Sequence, residues 1–212
     1  MVGLKPSLNT KFMKQFTHLL LSALLAAVAA GCSTAPSRFY TLNAEAHDTA
    51  PAAPPCSVIV GPVSVPSAVD RPQVAVTSGP NRVEYDEFNR WAAPLGESIA
   101  RVVSADLGQL LGTPRAASAP LPDLGPAYRV TIRVERFESV LGGSSANSEA
   151  LVDALWTVRG PAGQSVDSGR TIARERAPGS SYEALAAAHS RALAKLSTDI
   201  AAAIRASAAQ NH

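Results

Sequence analysis

The sequence predicts a single α/β domain, a sheet packed by two main helices, carried behind a cleavable leader and a short tether. Three observations predict it. One long apolar run exists, Leu19 to Ala30, and it lies near the N-terminus. Residues 128 to 135 alternate between apolar and polar with the period of a strand. Leu95, Ile99, Val102, Val103, Leu107, Leu110 and Leu111 recur on one face of a helix.

The leader comes first. Lys5, Lys11 and Lys14 precede the apolar run, and no Asp or Glu occurs before Glu45. Positive charge of this kind is retained on the cytoplasmic side of a membrane. The run is 12 residues long. A bilayer-spanning helix needs roughly 20, so this length suits the core of a secretory signal. Ala29-Ala30-Gly31-Cys32 follows and resembles a bacterial lipobox, in which small residues precede a cysteine that takes a diacylglyceryl thioether before cleavage. The resemblance implies a signal peptide over residues 1–31 and a lipidated, N-acylated Cys32. Ser33, standing where Asp would retain the protein, implies sorting to the outer membrane. Several acyl chains, each contributing about 0.8 kcal/mol per buried methylene, hold a protein at a bilayer far more firmly than one.

Charge bears on the partner class. The whole chain carries 19 Lys plus Arg against 17 Asp plus Glu, a net of +2. Without the three leader lysines the balance is 16 against 17, a net of −1. A near-neutral chain with scattered arginines lacks the electrostatic footprint of a nucleic-acid binder. With Cys32 acylated, Cys56 is left as an unpaired thiol.

Residues 32–56 read as the lipidated cysteine and its tether, small or polar and ending in Ala50-Pro-Ala-Ala-Pro-Pro55. Within it Arg38-Phe-Tyr-Thr-Leu42 is β-prone and is expected to dock as an edge strand. The domain itself is expected over 57–206, with a disordered tail over 207–212. Ser57 to Val65 is a continuous apolar strand, buried on both faces. Val74 to Thr77 and Arg82 to Tyr85 form a hairpin across Ser78-Gly-Pro-Asn81. Pro94 suits the first position of the first helix, and Gly112 with Pro114 its end. Glu97, Arg101, Ser104 and Gln109 fall on its wet side.

After a Pro-rich loop, Tyr128, Val130, Ile132 and Val134 face the core while Arg129, Thr131, Arg133 and Glu135 face water. A turn over 142–148 leads to the strand Ala150 to Val158, whose Val152, Ala154, Trp156 and Val158 share one face. Gln164 to Arg176 is more polar and reads as an edge strand. The last helix opens at Ser180-Ser-Tyr-Glu183, a capping-box pattern, and carries an apolar stripe of Leu185, Ala192, Leu196, Ile200 and Ala203.

Convergent catalytic chemistry is not legible. His18, His47 and His212 fall in the leader, the tether and the terminus, leaving His189 as a boundary histidine with one hydrogen bond rather than a general base. No metal-ligand spacing, phosphate loop or nucleophile elbow can be read, so the chain is expected to be no enzyme and to use no cofactor beyond its covalent diacylglycerol and N-acyl chain. Trp156 reads as core. Trp91 either plugs the start of the first helix or belongs to a partner surface.

The segments 38–42, 65–95, 128–138 and the helix from Tyr182 together resemble the ABC-type transport auxiliary lipoproteins, the PqiC-type subunits of membrane-integrity transporters. The most specific residues are Asp70-Arg71-Pro72, Asn81-Arg82 and Trp91-Ala-Ala-Pro94-Leu95. The resemblance implies a mixed, largely antiparallel sheet similar to TolB N-terminal or anticodon-binding-like domains. It also makes Arg71, Pro72, Asn81, Arg82, Trp91, Pro94 and Leu95 a candidate partner surface. The implied role is an outer-membrane subunit that docks an MCE-domain substrate-binding protein of a lipid transporter, as a homo-oligomer. Two alternatives stand beside it: a carrier holding an acyl chain between helix and sheet, which requires a cavity among Val102, Leu107, Val130, Val152 and Trp156, and an assembly scaffold with no transport role.

Overall fold

The computed structural model describes residues 35–47, 56–79, 81–118, 125–141 and 148–210, together with Met13, Gln15 and His18, which are helical and exposed. The chain divides into two units, Met1–Pro36 and Ser37–His212. Cys32 and residues 48–55 lie outside the described residues. The second unit runs β1 (Arg38–Tyr40), β2 (Val58–Ser64), β3 (Gln73–Gly79), β4 (Arg82–Trp91), α1 (Leu95–Leu110), β5 (Ala116–Ala117), β6 (Tyr128–Val140), β7 (Ser148–Arg159), β8 (Ser165–Ala177) and α2 (Tyr182–Gln210).

Among the described residues all eight strands belong to one mixed sheet. β6 organises it. One edge of β6 pairs antiparallel with β7 along its whole length, and β8 adds antiparallel beyond β7. The other edge is shared end to end: β2 pairs parallel along Tyr128–Arg133, and β3 pairs parallel at Ser139 and Val140. β4 then pairs antiparallel with β3, β1 parallel with β4, and β5 parallel with β2. The antiparallel ladders are the long ones, as expected for a chain rich in hairpins.

Both helices pack on one side of this sheet, which explains the strand patterns. In β6 the inward Tyr128, Val130, Ile132 and Val134 are buried and the outward Arg129, Thr131, Arg133 and Glu135 are exposed. The start of β2 is buried on both faces, because Ile59 packs with Ala127 and Ala117 opposite the main core. Beyond it the register with β6 slips between Val60 and Val63, and Gly61 takes a positive φ of 139° at that bulge. Trp156 lies in the main core, as its strand face predicts, and β8 is an edge strand.

Several boundaries differ from expectation. β4 runs past Tyr85 to Trp91, because Asp86–Asn89 form an irregularity, opposite Gln73 and Val74, that interrupts the alternation. Pro94 stands at the cap of α1 with a non-helical ψ of 134°, one residue before the helix begins. Gly112 does end α1 in the left-handed region, at φ 64°. Ser104 is buried, not wet, and so is Asp106, because α2 packs along that flank. α2 is capped by Ser181, whose Oγ accepts the Ala184 amide at 3.1 Å, so the expected Ser180–Glu183 box is out of register by one residue. The helix continues through Gln210, and residues 207–210 are helical rather than a frayed tail.

The strand expected at 38–42 docks at the sheet edge as β1, and the docked segment runs on beyond it. Leu42 and Ala46 are buried, and residues 37–47 belong to the folded unit.

Candidate functional site

The residues that resemblance marks as a partner surface separate into three environments. Arg71, Asn81 and Arg82 are exposed. The Arg71 guanidinium carbon lies 3.9 Å from the ring centroid of Tyr85, and Arg82 pairs with Glu84 at 2.5 Å. Pro72 and Pro94 are exposed backbone positions; the Pro72 carbonyl accepts the Trp91 amide at 2.7 Å, and the Pro94 carbonyl accepts that of Ser98. Trp91 and Leu95 are in the core and are no part of a surface. Trp91 is the last residue of β4, 7% exposed, with its ring edge-on to Phe137 and His189 at 6.0 and 6.1 Å. It sits in a strand and not in a loop, and its ring fills the core at the entry to α1. The sheet hands it inward because Trp91 pairs with Tyr40, whose ring also meets α2.

His189 is buried completely, not at the boundary. Its ring stacks on Phe137 with centroids 3.9 Å apart, its Nε2 meets the Ser139 hydroxyl at 2.9 Å, and its Nδ1 has no partner among the described residues. Burial pushes its pKa down to about 3, so the ring is neutral at any physiological pH. A neutral imidazole without a carboxylate partner or access to solvent packs and positions; it offers no base.

The more instructive cluster was not legible from motifs. Residues 42–46 are fastened between the two helices by three side chains, one of them backed by a fourth. Arg101 of α1 donates to the Leu42 carbonyl at 2.8 Å, and Ser190 of α2 accepts the Asn43 amide at 3.1 Å. Asp106 of α1, fully buried, accepts the Ala46 amide at 2.9 Å and meets the Ser197 hydroxyl of α2 at 3.0 Å. That hydroxyl also lies 2.9 Å from the Leu193 carbonyl. One hydroxyl proton is shared between these two acceptors. Burial, only partly offset by the bonds from Ala46 and Ser197, raises the Asp106 pKa above its usual value. A signal was present in the sequence: Ile99, Val102, Val103, Asp106 and Leu110 share a helical stripe, and an acid on such a stripe has to be paired.

A second set of bonds holds β1 and β4 to the start of α2. Tyr182 donates to Asp86 at 2.9 Å, and Tyr40 to Asn89 at 2.7 Å. Burial works against it, but bonds from Asn89, Phe88 and Tyr182 hold the Asp86 carboxyl below its usual range. Beside this junction lies a groove of about 770 Å³ lined by polar Arg38, Asn43, Glu45, Asn89, Ser181 and Glu183 among others. Its lining does not suit an acyl chain. Val102, Leu107, Val130, Val152 and Trp156, the residues among which an internal carrier would need its cavity, are all buried in one packed cluster. Among the described residues no three His, Cys, Asp or Glu side chains are grouped to hold a metal, and no helix is long and apolar enough to cross a membrane.

The family described as the ABC-type transport auxiliary lipoprotein component matches residues 40–201. The chain belongs to this family. Two solved structures share the fold. One, described only as an uncharacterized protein, has a TM-score of 0.64 at 19% identity and covers 80% of this chain and 99% of its own. The other, from Xanthomonas campestris, has a TM-score of 0.65 at 18% identity, covering 82% and 98%. At these identities they establish the α/β architecture alone. No curated protein matches the chain. The family is one of auxiliary components of ABC-type transport systems, which are lipoproteins and not the catalytic subunits.

Proposed function

We propose that the chain is an outer-membrane lipoprotein, acylated at Cys32, which serves as the non-catalytic auxiliary subunit of an ABC lipid-transport system and docks its periplasmic MCE-domain protein there as a homo-oligomer. The observation that carries the reading is membership of the auxiliary lipoprotein family over residues 40–201. The clamp on residues 42–46 supports it. A docking subunit has to stand at a set height above its membrane, and a domain fastened a few residues after its anchor does so. The filled core speaks against the carrier alternative, whose acyl chain has nowhere to lie between helix and sheet.

The test is affinity purification of the full chain from detergent-solubilised envelopes. Recovery of an MCE-domain protein is the expected result; recovery of outer-membrane assembly factors without one would overturn the reading in favour of a scaffold. The anchor is tested separately. Cys32→Ala is expected to accumulate as an unacylated, unprocessed precursor, and normal processing of that variant would refute the lipobox assignment.

A further inference from the structure

We propose that the exposed aromatic patch of β1 and β4, centred on Phe39 and Phe88, rests against the lipid surface that holds the acyl chains of Cys32. The inference rests on the acylation of Cys32 and adds a second, non-covalent contact to it.

Reach is the first argument. Phe39 follows Cys32 by seven residues, so a fully extended chain places it at most about 25 Å from the anchored cysteine. No slack exists beyond it, because β1 is paired into the sheet and residues 42–46 are fastened by Arg101, Ser190 and Asp106. The anchor therefore delivers this corner of the domain, before any other, to the bilayer.

Chemistry is the second. Phe39 is 63% exposed, Phe88 43%, Val83 45% and Tyr85 37%. They lie along two paired strands. Tyr40 turns its ring to Tyr182 of α2, which leaves Phe39 on the opposite face, and Val83 and Tyr85 alternate with Glu84 and with Asp86, whose carboxylate also turns to Tyr182. Phe39, Val83 and Tyr85 thus lie on the side of the sheet that the helices leave open, with exposed Phe88 between them along β4. Single exposed apolar residues need no explanation, but adjoining aromatics do. Aromatic rings with a polar rim are what a membrane interface accepts. Here the rim is Arg71 over Tyr85, Arg82 paired with Glu84 and Arg90 paired with Glu87. Two of these three arginines are paired with glutamates, which leaves the rim a net charge of only +1, so aromatic burial more than attraction to anionic headgroups carries the contact.

The sheet supplies its own control. Ile172 on β8 is 57% exposed, and it lies at the opposite edge, five strand spacings or about 24 Å from β1. The mature chain, purified from membranes as Phe39→Trp or Ile172→Trp, is reconstituted into phosphatidylethanolamine and phosphatidylglycerol vesicles whose acyl chains are brominated near the headgroup. Trp91 and Trp156, each 7% exposed, set a low background measured in the unsubstituted chain. Several-fold stronger bromine quenching at 39 than at 172 is expected. Equal quenching at both positions, or quenching at neither, in a sample whose N-terminal peptide has the acylated mass overturns the contact and leaves the anchor standing. An unacylated N-terminal peptide overturns both.

Discussion

His189→Gln separates the cost of burying an imidazole from its packing value. The wild-type ring titrates near pH 6.5 in the unfolded chain and near 3 in the folded one, because burial excludes its charged form. Between these values the unfolded chain binds a proton that the folded chain refuses. The contribution of the neutral ring is therefore complete above pH 6.5 and is lost as pH falls toward 3. Each pH unit within the window removes about 1.4 kcal/mol, or about 5 kcal/mol over the whole of it. That is comparable to the total stability of a small domain. Glutamine keeps a polar partner for Ser139 but loses the stack on Phe137, a change costing about 2 kcal/mol at pH 8. It does not titrate. The two urea-unfolding free energies, followed from pH 8 to 4 by circular dichroism, should converge as pH falls and cross near pH 5, where the proton linkage reaches about 2 kcal/mol. Carboxylates common to both chains cancel in the difference. A difference that stays constant over this range would refute the argument that His189 folds as a neutral, solvent-excluded ring.

Three further outcomes follow from the packing. Asp106 has the opposite sign of linkage: its raised pKa means that its contribution is greatest below the unfolded value and is lost as pH rises through the folded one. Asp106→Asn, which can keep the bonds to Ala46 and Ser197, should therefore exceed wild type in urea unfolding at pH 8 and match it near pH 4. Leu42→Ala removes a fully buried side chain and should cost about 2–5 kcal/mol, with faster amide exchange at Ala46 showing that the clamp has loosened. Gly169→Ala would place a Cβ 2.5 Å from the Trp156 ring, and a loss of about 1–3 kcal/mol with a shifted tryptophan emission is expected; an unchanged thermal midpoint would show that the ring has room to move.

Legibility tracked the range of the forces involved. The alternation of β6 and the stripe of α1 were readable because each repeats within a few residues of itself. The far half of β4 was not, since the irregularity over Asp86–Asn89 hides the period. β5, two residues long, has no period to read. The docking strand at 38–42 was readable from its β-prone residues, but the fastening of 43–46 depends on side chains 60 and 147 positions away, so composition leaves those residues in the tether. Trp91 and Leu95 entered the candidate surface on the strength of their motif; Leu95 also belongs to the apolar stripe of α1, which pointed inward, and pairing with β1 and the contact with His189 show that Trp91 belongs to the core as well.

By itself the sequence determined the order and kind of the long elements, the near-neutral charge beyond the leader and the family resemblance, because periodicity, composition and motif are written in consecutive residues. Tertiary structure decided that His189 is neutral and sealed, that Asp106 fastens the start of the domain, and that Phe39 is left exposed on the first strand of the folded unit. These depend on which distant segments share a strand edge or a helix flank, and burial, which sets both charge state and exposure, exists only once they meet.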